Sequence, residues 1–158
     1  MDTGAGLTDN ALIFGDMLPD GGVLLGLDLG TKTIGVATCD AGWRFATAGK
    51  TIPRSKFTKD SAILRTIAAE RNAAGLVIGL PRNMDGSEGP RAQASRAYAR
   101  NLHDLLALPV LLWDERWSTS SAEADMIGQK MSRGKRAERI DSHAAAIILQ
   151  GALDALTR

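Results

Sequence analysis

The sequence predicts an α/β fold in which helices flank a five-stranded mixed sheet, and three observations lead to this prediction. Three strand-like segments separated by short turns lie between residues 23 and 52. Two later apolar segments of strand length alternate with segments of helical periodicity. Strands joined by short turns pair as antiparallel hairpins, whereas strands joined through a helix run parallel. An antiparallel meander of three strands plus two parallel strands gives a mixed sheet.

The antiparallel half of the sheet is predicted by three consecutive segments, residues 23–30, 33–39 and 43–52. The first is nearly all apolar, the second is rich in β-branched residues, and the third ends before Pro53, as strands commonly do. The short turns between them contain Gly, Thr and Asp, which predicts hairpins. Apolar residues at helical spacing then predict a helix over residues 57–72.

Strands and helices alternate in the next part of the chain. Residues 76–80 predict a short buried strand that ends at Pro81, and residues 109–113 predict a second one. Between them, a glycine-rich loop leads into a helix over residues 91–107, whose apolar residues share one face. Two strands that are each preceded by a helix in this way are expected to lie parallel in one sheet.

The last part of the chain predicts two more helices. Ser120 and Glu123 have the spacing of a capping box, so a helix is expected to run through Met126. A basic stretch, residues 130–139, precedes a last helix that carries apolar residues from 140 to 156. Three strands, two helix–strand units and two helices follow the order of ribonuclease-H-like folds, which is an analogy at the level of fold.

Length and composition indicate one domain behind a short arm. The chain has 158 residues, the size of a single domain. Residues 1–20 carry four Asp and no Lys or Arg, and we interpret them as an acidic, flexible arm. Residues 21–158 carry 19 basic and 14 acidic side chains, a net charge of +5, and form the ribonuclease-H-like domain. This charge permits nucleic acid as a partner without requiring it.

Cysteine content and hydropathy exclude two other classes of protein. A single cysteine excludes an internal disulfide framework and a Cys-based zinc site. No apolar run approaches the ~20 residues that cross a bilayer, and the basic start of a secretory signal peptide is missing. We therefore expect a cytoplasmic protein that does not contact membranes.

One acidic residue, Asp28, stands inside the apolar strand 23–30. Burying a carboxylate there is costly unless it is paired, neutralised or bound to a cation. Asp28 is therefore either a structural residue that accepts hydrogen bonds from the following turn, or a metal ligand at the centre of the sheet.

Two further acids are candidates for the same site. Glu115 follows a predicted strand, and because side chains alternate, only one of Asp114 and Glu115 can face Asp28. Asp141 lies near the start of the last predicted helix, where capping alone would also explain an acid. Acids at these three places can converge over such a sheet. Carboxylate clusters suit Mg²⁺ or Mn²⁺, and two such ions about 4 Å apart support phosphodiester hydrolysis.

Four segments resemble the signature blocks of the YqgF family; they are Gly26–Ala37, Gly79–Ser87, Asp114–Arg116 and Asp141–Ala145. These proteins are small bacterial ribonuclease-H-like proteins, related to Holliday junction resolvases and assigned to maturation of the 16S rRNA 5′ end. The resemblance covers about residues 22–155. It implies that Asp28, Glu115 and Asp141 are the catalytic acids and the ligands of Mg²⁺ or Mn²⁺, with two ions expected. Ser142 and His143 follow Asp141, so a fourth acid of the wider resolvase superfamily is missing there.

Other residues are candidates for substrate binding. Backbone N–H groups of the loop over residues 83–90 can approach a phosphate, although the loop also fits an ordinary helix-entry turn. The stretch 130–139 has a net charge of +4 and is either a phosphate-binding segment or a solvated surface. The predicted substrate-binding residues are Thr31, Lys32, Asn83, Arg116, Arg133, Lys135 and Arg136. Arg91, Arg96 and Arg100 are candidates for extending this basic footprint.

These features predict a metal-dependent endonuclease that acts on structured nucleic acid, with the 5′ end of precursor 16S rRNA as the leading substrate. Three alternatives stay open: a Holliday junction resolvase on DNA, a non-catalytic RNA-binding ribosome-assembly factor, and a nucleotide-binding ATPase. The last rests on a similarity between residues 28–31 and a kinase phosphate loop, but one domain lacks the second lobe of those enzymes. We expect nucleic acid as the partner, ribosomal particles as a further candidate, and a monomer or weak homodimer.

Overall fold

The structure, a computed structural model, describes residues 6–118 and 133–157; for residues 117, 118 and 133–141 it describes the backbone alone. Its elements in chain order are β1 (Leu7–Thr8), α1 (Ala11–Met17), β2 (Leu24–Leu29), β3 (Thr33–Cys39), β4 (Ala46–Pro53), α2 (Phe57–Arg71), β5 (Gly75–Leu80), α3 (Pro90–Leu106), β6 (Val110–Asp114), a 3₁₀ turn (Glu115–Ser118) and α4 (Arg133–Leu156). Within the described ranges, no helix combines the length and the hydropathy needed to cross a membrane.

The strands form one mixed sheet in the order β1-β6-β5-β2-β3-β4. β2, β3 and β4 make the antiparallel meander, and β5 and β6 continue from β2 as parallel strands. The predicted α/β class and mixed sheet are confirmed. The sheet has one strand more than the five predicted, because Leu7 and Thr8 pair in parallel with Val110 and Leu111. Two residues are too few to show strand periodicity in a sequence.

The described part of the predicted N-terminal arm, residues 6–20, packs against the rest of the domain. α1 begins after Asn10, whose Oδ1 accepts hydrogen bonds from the backbone N–H groups of Leu12 and Ile13 at 2.9 and 3.1 Å. Phe14 is 0% exposed and lies in the apolar cluster between the sheet and α4. The buried side chains of Phe14 and Leu7 thus hold against the domain a segment that the sequence predicts to be a flexible arm.

The two faces of the sheet carry separate apolar cores. Leu25, Leu27 and Leu29 of β2 face the core beneath α2 and α3. Because successive side chains of a strand point to opposite faces, Gly26 and Asp28 face α4. The carboxylate of Asp28 is therefore on the face that the last helix covers.

Gly26 allows α4 to approach β2 closely. A methyl group in its place would lie 2.7 Å from Cβ of Leu149 and 2.9 Å from the carbonyl oxygen of Ala145, closer than carbon atoms normally pack. The C-terminal end of α4 lies at the start of β2, since Leu156 contacts Gly15 of α1 and α1 packs at the start of β2 and β5. The N-terminal half of the helix therefore points toward the carboxyl end of β2.

The last helix begins earlier than the apolar pattern predicted. α4 starts at Arg133 instead of near residue 140, because Arg and Lys are favourable helix formers and do not end a helix. Asp141 consequently lies more than two turns inside α4. The helix dipole acts mainly on the first turn, so capping does not account for an acid at this position. The helix predicted from the Ser120–Glu123 pattern falls outside the described residues.

Candidate active site

Two of the three predicted acids, Asp28 and Glu115, lie on the same face of the sheet. Glu115 begins the 3₁₀ turn after β6, and β5 lies between β6 and β2. The side chain of Glu115 extends over Gly79 of β5, since a methyl group on Gly79 would lie 3.0 Å from both Cγ and Cδ of Glu115. Gly79 therefore leaves the space through which Glu115 approaches the carboxyl end of β2.

Burial raises the pKa of Glu115 to about 7, and the negative charge of Asp28 adds to this rise. Asp114 raises the pKa further, whereas the positive charge of Arg91 lowers it. Two carboxylates that share a partly desolvated space disfavour their joint ionisation. A cation between them would remove this penalty.

Asp114, the neighbour of Glu115, points to a different group of side chains, as alternation along the strand predicts. Its carboxylate accepts hydrogen bonds from Nη2 and Nε of Arg116 at 2.7 and 3.1 Å, and from Nη1 of Arg82 at 3.4 Å. Burial raises the pKa of Asp114, but the bonds from Arg116 outweigh burial and hold the pKa below its usual value. Asp114 is thus an ionised structural partner of two arginines.

An ionic network holds the loop between β5 and α3. Glu88 accepts from Arg82 at 3.2 Å and from Arg96 at 2.6 Å, and Asp9 lies 3.5 Å from Arg82. Together with Asp114, these side chains tie the N-terminal segment, the loop and the end of β6 to each other. Several coupled charges of this kind order a surface more than an isolated pair does.

Two predicted substrate-binding residues, Asn83 and Arg116, form hydrogen bonds that hold this loop. Arg116 donates to the carbonyl of Met84 at 3.3 Å, besides its pairing with Asp114. Asn83 donates through Nδ2 to Oγ of Ser87 at 3.0 Å. The described contacts of Asn83 and Arg116 thus hold the loop in shape. No described contact joins Asn83 to Asp28 or Glu115.

Thr31 and Lys32 are exposed in the turn that follows Asp28. Two arginines hold the backbone just before this turn: Arg91 donates to the carbonyl of Leu29 at 3.5 Å, and Arg54 donates to that of Gly30 at 2.5 Å. The predicted substrate-binding residues include neither arginine, although Arg91 is a candidate for extending the basic footprint. Arg54 stands in no motif, whereas Arg91 shares α3 with Arg96 and Arg100.

The remaining predicted residues lie on α4, in the part for which the backbone alone is described. Arg133 opens the helix, and Lys135 and Arg136 follow within its first turn; their side chains lie outside the description. The same holds for Asp141, which precedes Ala145 by one turn. Among the described side chains, no group of three potential metal ligands is gathered in one place.

Comparison with known proteins identifies the family. The model of the family described as "RuvX: Holliday junction resolvase" matches residues 22–155. The chain belongs to the RuvX family. This is the family that the four sequence blocks resemble under the name YqgF, so that prediction is confirmed.

Relatives in the RuvX family match nearly the whole chain. A protein of Novosphingobium aromaticivorans named "Putative pre-16S rRNA nuclease" is 67% identical over 95% of this chain and 96% of its own length. A protein of the same name from Sphingopyxis alaskensis is 60% identical over 96% of this chain and 99% of its own.

A solved structure supports the fold of this RuvX family member. Thermus thermophilus RuvC, in complex with a Holliday junction substrate, aligns with a TM-score of 0.57 at 14% identity, over 84% of this chain and 94% of that one. At this level of identity the likeness shows the fold alone. The predicted ribonuclease-H-like fold is confirmed.

Proposed function

We propose that this protein is a metal-dependent endonuclease that cleaves structured nucleic acid, and that its substrate is the 5′ end of precursor 16S rRNA. The observation that carries the proposal is the pair of carboxylates, Asp28 and Glu115, gathered at the carboxyl end of β2 with a raised Glu115 pKa. The names of the relatives support the nuclease activity and the substrate. Such a substrate occurs in the bacterial cytoplasm, within or near ribosomal particles, and we propose that the protein acts there.

The donor chemistry of the pair fits a divalent cation. Carboxylate oxygens are the ligands that Mg²⁺ and Mn²⁺ prefer, and a cation would relieve the repulsion that raises the Glu115 pKa. Asp141 is proposed as the third ligand, because Ala145, one turn later in α4, packs on Gly26, two residues before Asp28 in β2. Bound at these carboxylates, divalent cations supply stabilisation of the charge that develops on the attacking and leaving oxygens of a phosphodiester.

The rest of the chain orients the substrate in this proposal. The ionic network around Glu88 joins the loop between β5 and α3 to Arg96 of α3, and Arg116 contacts the loop through the carbonyl of Met84. Thr31, Lys32 and Asn83 would contact the nucleic acid beside the carboxylates. Arg133, Lys135 and Arg136 would bind backbone phosphates from the side of α4, where they contribute affinity without reading sequence.

Single-turnover cleavage of a 5′-extended 16S rRNA precursor, with Mg²⁺ or Mn²⁺ present, tests the proposal. Asp28→Asn is expected to lower the cleavage rate by more than about 100-fold, because losing a metal ligand should exceed the roughly 10- to 100-fold loss typical of residues behind the ligands. RNA affinity should stay close to that of the wild type. Asp104→Asn, an exposed acid on α3, is the matched control and should cleave normally.

A four-way DNA junction assayed in parallel decides between the two nuclease hypotheses. The family description and the fold of RuvC favour the junction as the second candidate substrate. Faster cleavage of the junction than of the precursor would reject the rRNA proposal. RNA binding without cleavage of either substrate would favour the non-catalytic assembly factor.

Gly79→Ala is expected to reduce cleavage without unfolding the protein. The new methyl group would lie 3.0 Å from Cγ of Glu115 and 2.7 Å from Cδ1 of Ile148, so both side chains must move. Displacement of a catalytic group by about 1 Å can cost roughly 100-fold in rate, and we expect at least about tenfold here.

Gly42→Ala is the matched control for this change. It lies in the turn between β3 and β4, where the nearest neighbour of the new methyl is Oδ2 of Asp40 at 3.2 Å. Cleavage rates are measured beside melting temperatures. If Gly79→Ala and Gly42→Ala cleave equally fast, the position of Glu115 over Gly79 has no part in the reaction.

A further inference from the structure

Arg91 extends toward the proposed active site from the first turn of α3. It follows Pro90 at the start of the helix and is exposed to solvent. Its Nη2 lies 3.5 Å from the carbonyl oxygen of Leu29, the residue after Asp28. The guanidinium therefore lies at the carboxyl end of β2, where its charge also acts on Glu115.

Arg91 differs from the other arginines at this edge of the sheet in its partners. Arg82, Arg96 and Arg116 each form an ion pair with at least one carboxylate, at distances of 2.6 to 3.4 Å. For Arg91 the described residues provide a hydrogen bond to one carbonyl and no carboxylate within ion-pair distance. A guanidinium has five N–H donors, so Arg91 keeps most of its donors available at the site.

Arg54 performs a different task beside it. Its Nη1 donates to the carbonyl of Gly30 at 2.5 Å, and its guanidinium lies 5.2 Å from the ring centre of Tyr98. Arg54 is partly buried by these contacts, which hold the turn after Asp28. We therefore regard Arg54 as a positioning residue of the β2–β3 turn and Arg91 as the residue that faces the substrate.

We propose that Arg91 binds a backbone phosphate of the RNA next to the bond that is cut. This inference rests on the proposed function and names a substrate contact of the same site. The planar fork of arginine matches the oxygens of a phosphate in a bidentate contact. A phosphate approaching Asp28 and Glu115 meets negative charge, and Arg91 supplies positive charge within the same space. Arg91 would contact the RNA from the α3 side of the sheet. The basic residues of α4 would contact the same RNA strand from the opposite side.

RNA binding at several salt concentrations tests this contact. The probe is the 5′-extended 16S precursor fragment, and each variant is made in the Asp28→Asn background so that cleavage does not disturb the measurement. Arg91→Ala is expected to weaken binding about tenfold at moderate salt, as for one charge-assisted hydrogen bond. The slope of log K against log salt should fall by about 0.7, the value for one phosphate of a single strand.

Two further variants serve as controls for the binding measurement. Arg91→Lys keeps the charge and should restore the slope. Arg65→Ala removes an exposed arginine of α2, which lies in a groove with Leu105 and Leu108 at the far end of the sheet, and should leave both affinity and slope unchanged. A slope for Arg91→Ala equal to that of Arg65→Ala would overturn the inference.

A second measurement separates phosphate binding from an effect on Glu115. If Arg91→Ala shifts the pH dependence of cleavage in the otherwise wild-type protein while the salt slope stays constant, Arg91 acts on the carboxylates and the phosphate contact is rejected. Because the binding assay does not need cleavage, it can support Arg91 even if the precursor is not cut. Conversely, normal cleavage with an unchanged slope rejects Arg91 and leaves the nuclease proposal intact.

Discussion

Phe14→Ala is expected to lower the free energy of unfolding by about 3–5 kcal/mol, the range for removing a buried aromatic ring. The ring is 0% exposed and packs between α4 and the first residues of β2 and β5. At about 2–4 °C per kcal/mol for a chain of this size, the melting temperature should fall by roughly 10 °C. Thermal and denaturant unfolding both measure the effect.

Leu12→Ala is the control on the same helix. Leu12 is 76% exposed, so its truncation should change stability by less than about 0.5 kcal/mol, as surface substitutions usually do. Deletion of residues 1–20 removes Phe14 together with the rest of α1 and should therefore destabilise the protein at least as much as Phe14→Ala. Equal melting temperatures for Phe14→Ala and Leu12→Ala would show that α1 does not stabilise the domain.

Glu115→Gln is expected to stabilise the metal-free protein at pH values above about 7. In the folded state the pKa of Glu115 is raised to about 7 from an ordinary value of 4.5. Between these two values the native state binds more protons than the unfolded state, so the stability of the wild type falls as the pH rises. At about 1.36 kcal/mol per pKa unit, the variant should gain up to about 3 kcal/mol over the wild type, and the gain should level off above pH 7.

Unfolding in a chelator at pH 5 and pH 8 checks this sign and size. The advantage of Glu115→Gln should be small at pH 5 and large at pH 8. Addition of Mg²⁺ or Mn²⁺ at pH 8 should then raise the melting temperature of the wild type more than that of the variant, since binding to the native state adds stability. An advantage that is the same at both pH values would mean that Glu115 has an ordinary pKa.

Much of the fold could be predicted, because apolar strand segments and helical spacing can be recognised within a short stretch of sequence. The strands at residues 23–30 and 76–80 and the helix at 57–72 lie within one or two residues of β2, β5 and α2. β1 could not be predicted in this way. Its two residues show no period, and their pairing with β6 depends on contacts about a hundred residues away.

Site residues could be predicted where an acidic side chain interrupts or directly follows an apolar strand. Asp28 stood out as a charge inside an apolar strand, and Glu115 as an acid directly after another. The partners of these residues were harder to foresee, because ion pairing depends on how helices and loops pack. Arg116 pairs with Asp114 through the 3₁₀ turn, and Arg91 reaches Leu29 only because α3 begins beside the carboxyl end of β2.

The parallel pairing of β1 with β6 also sets an order of events during synthesis. A nascent chain emerges from the ribosome with its N-terminal residues first, yet Leu7 and Thr8 find their partners at Val110 and Leu111. Phe14 is buried still later, because the cluster that buries it includes Leu149 and Leu153 of α4. This segment is made before its partners and is therefore among the last to dock. Until then it leaves an apolar side chain and an unpaired sheet edge accessible to chaperones and to other nascent chains.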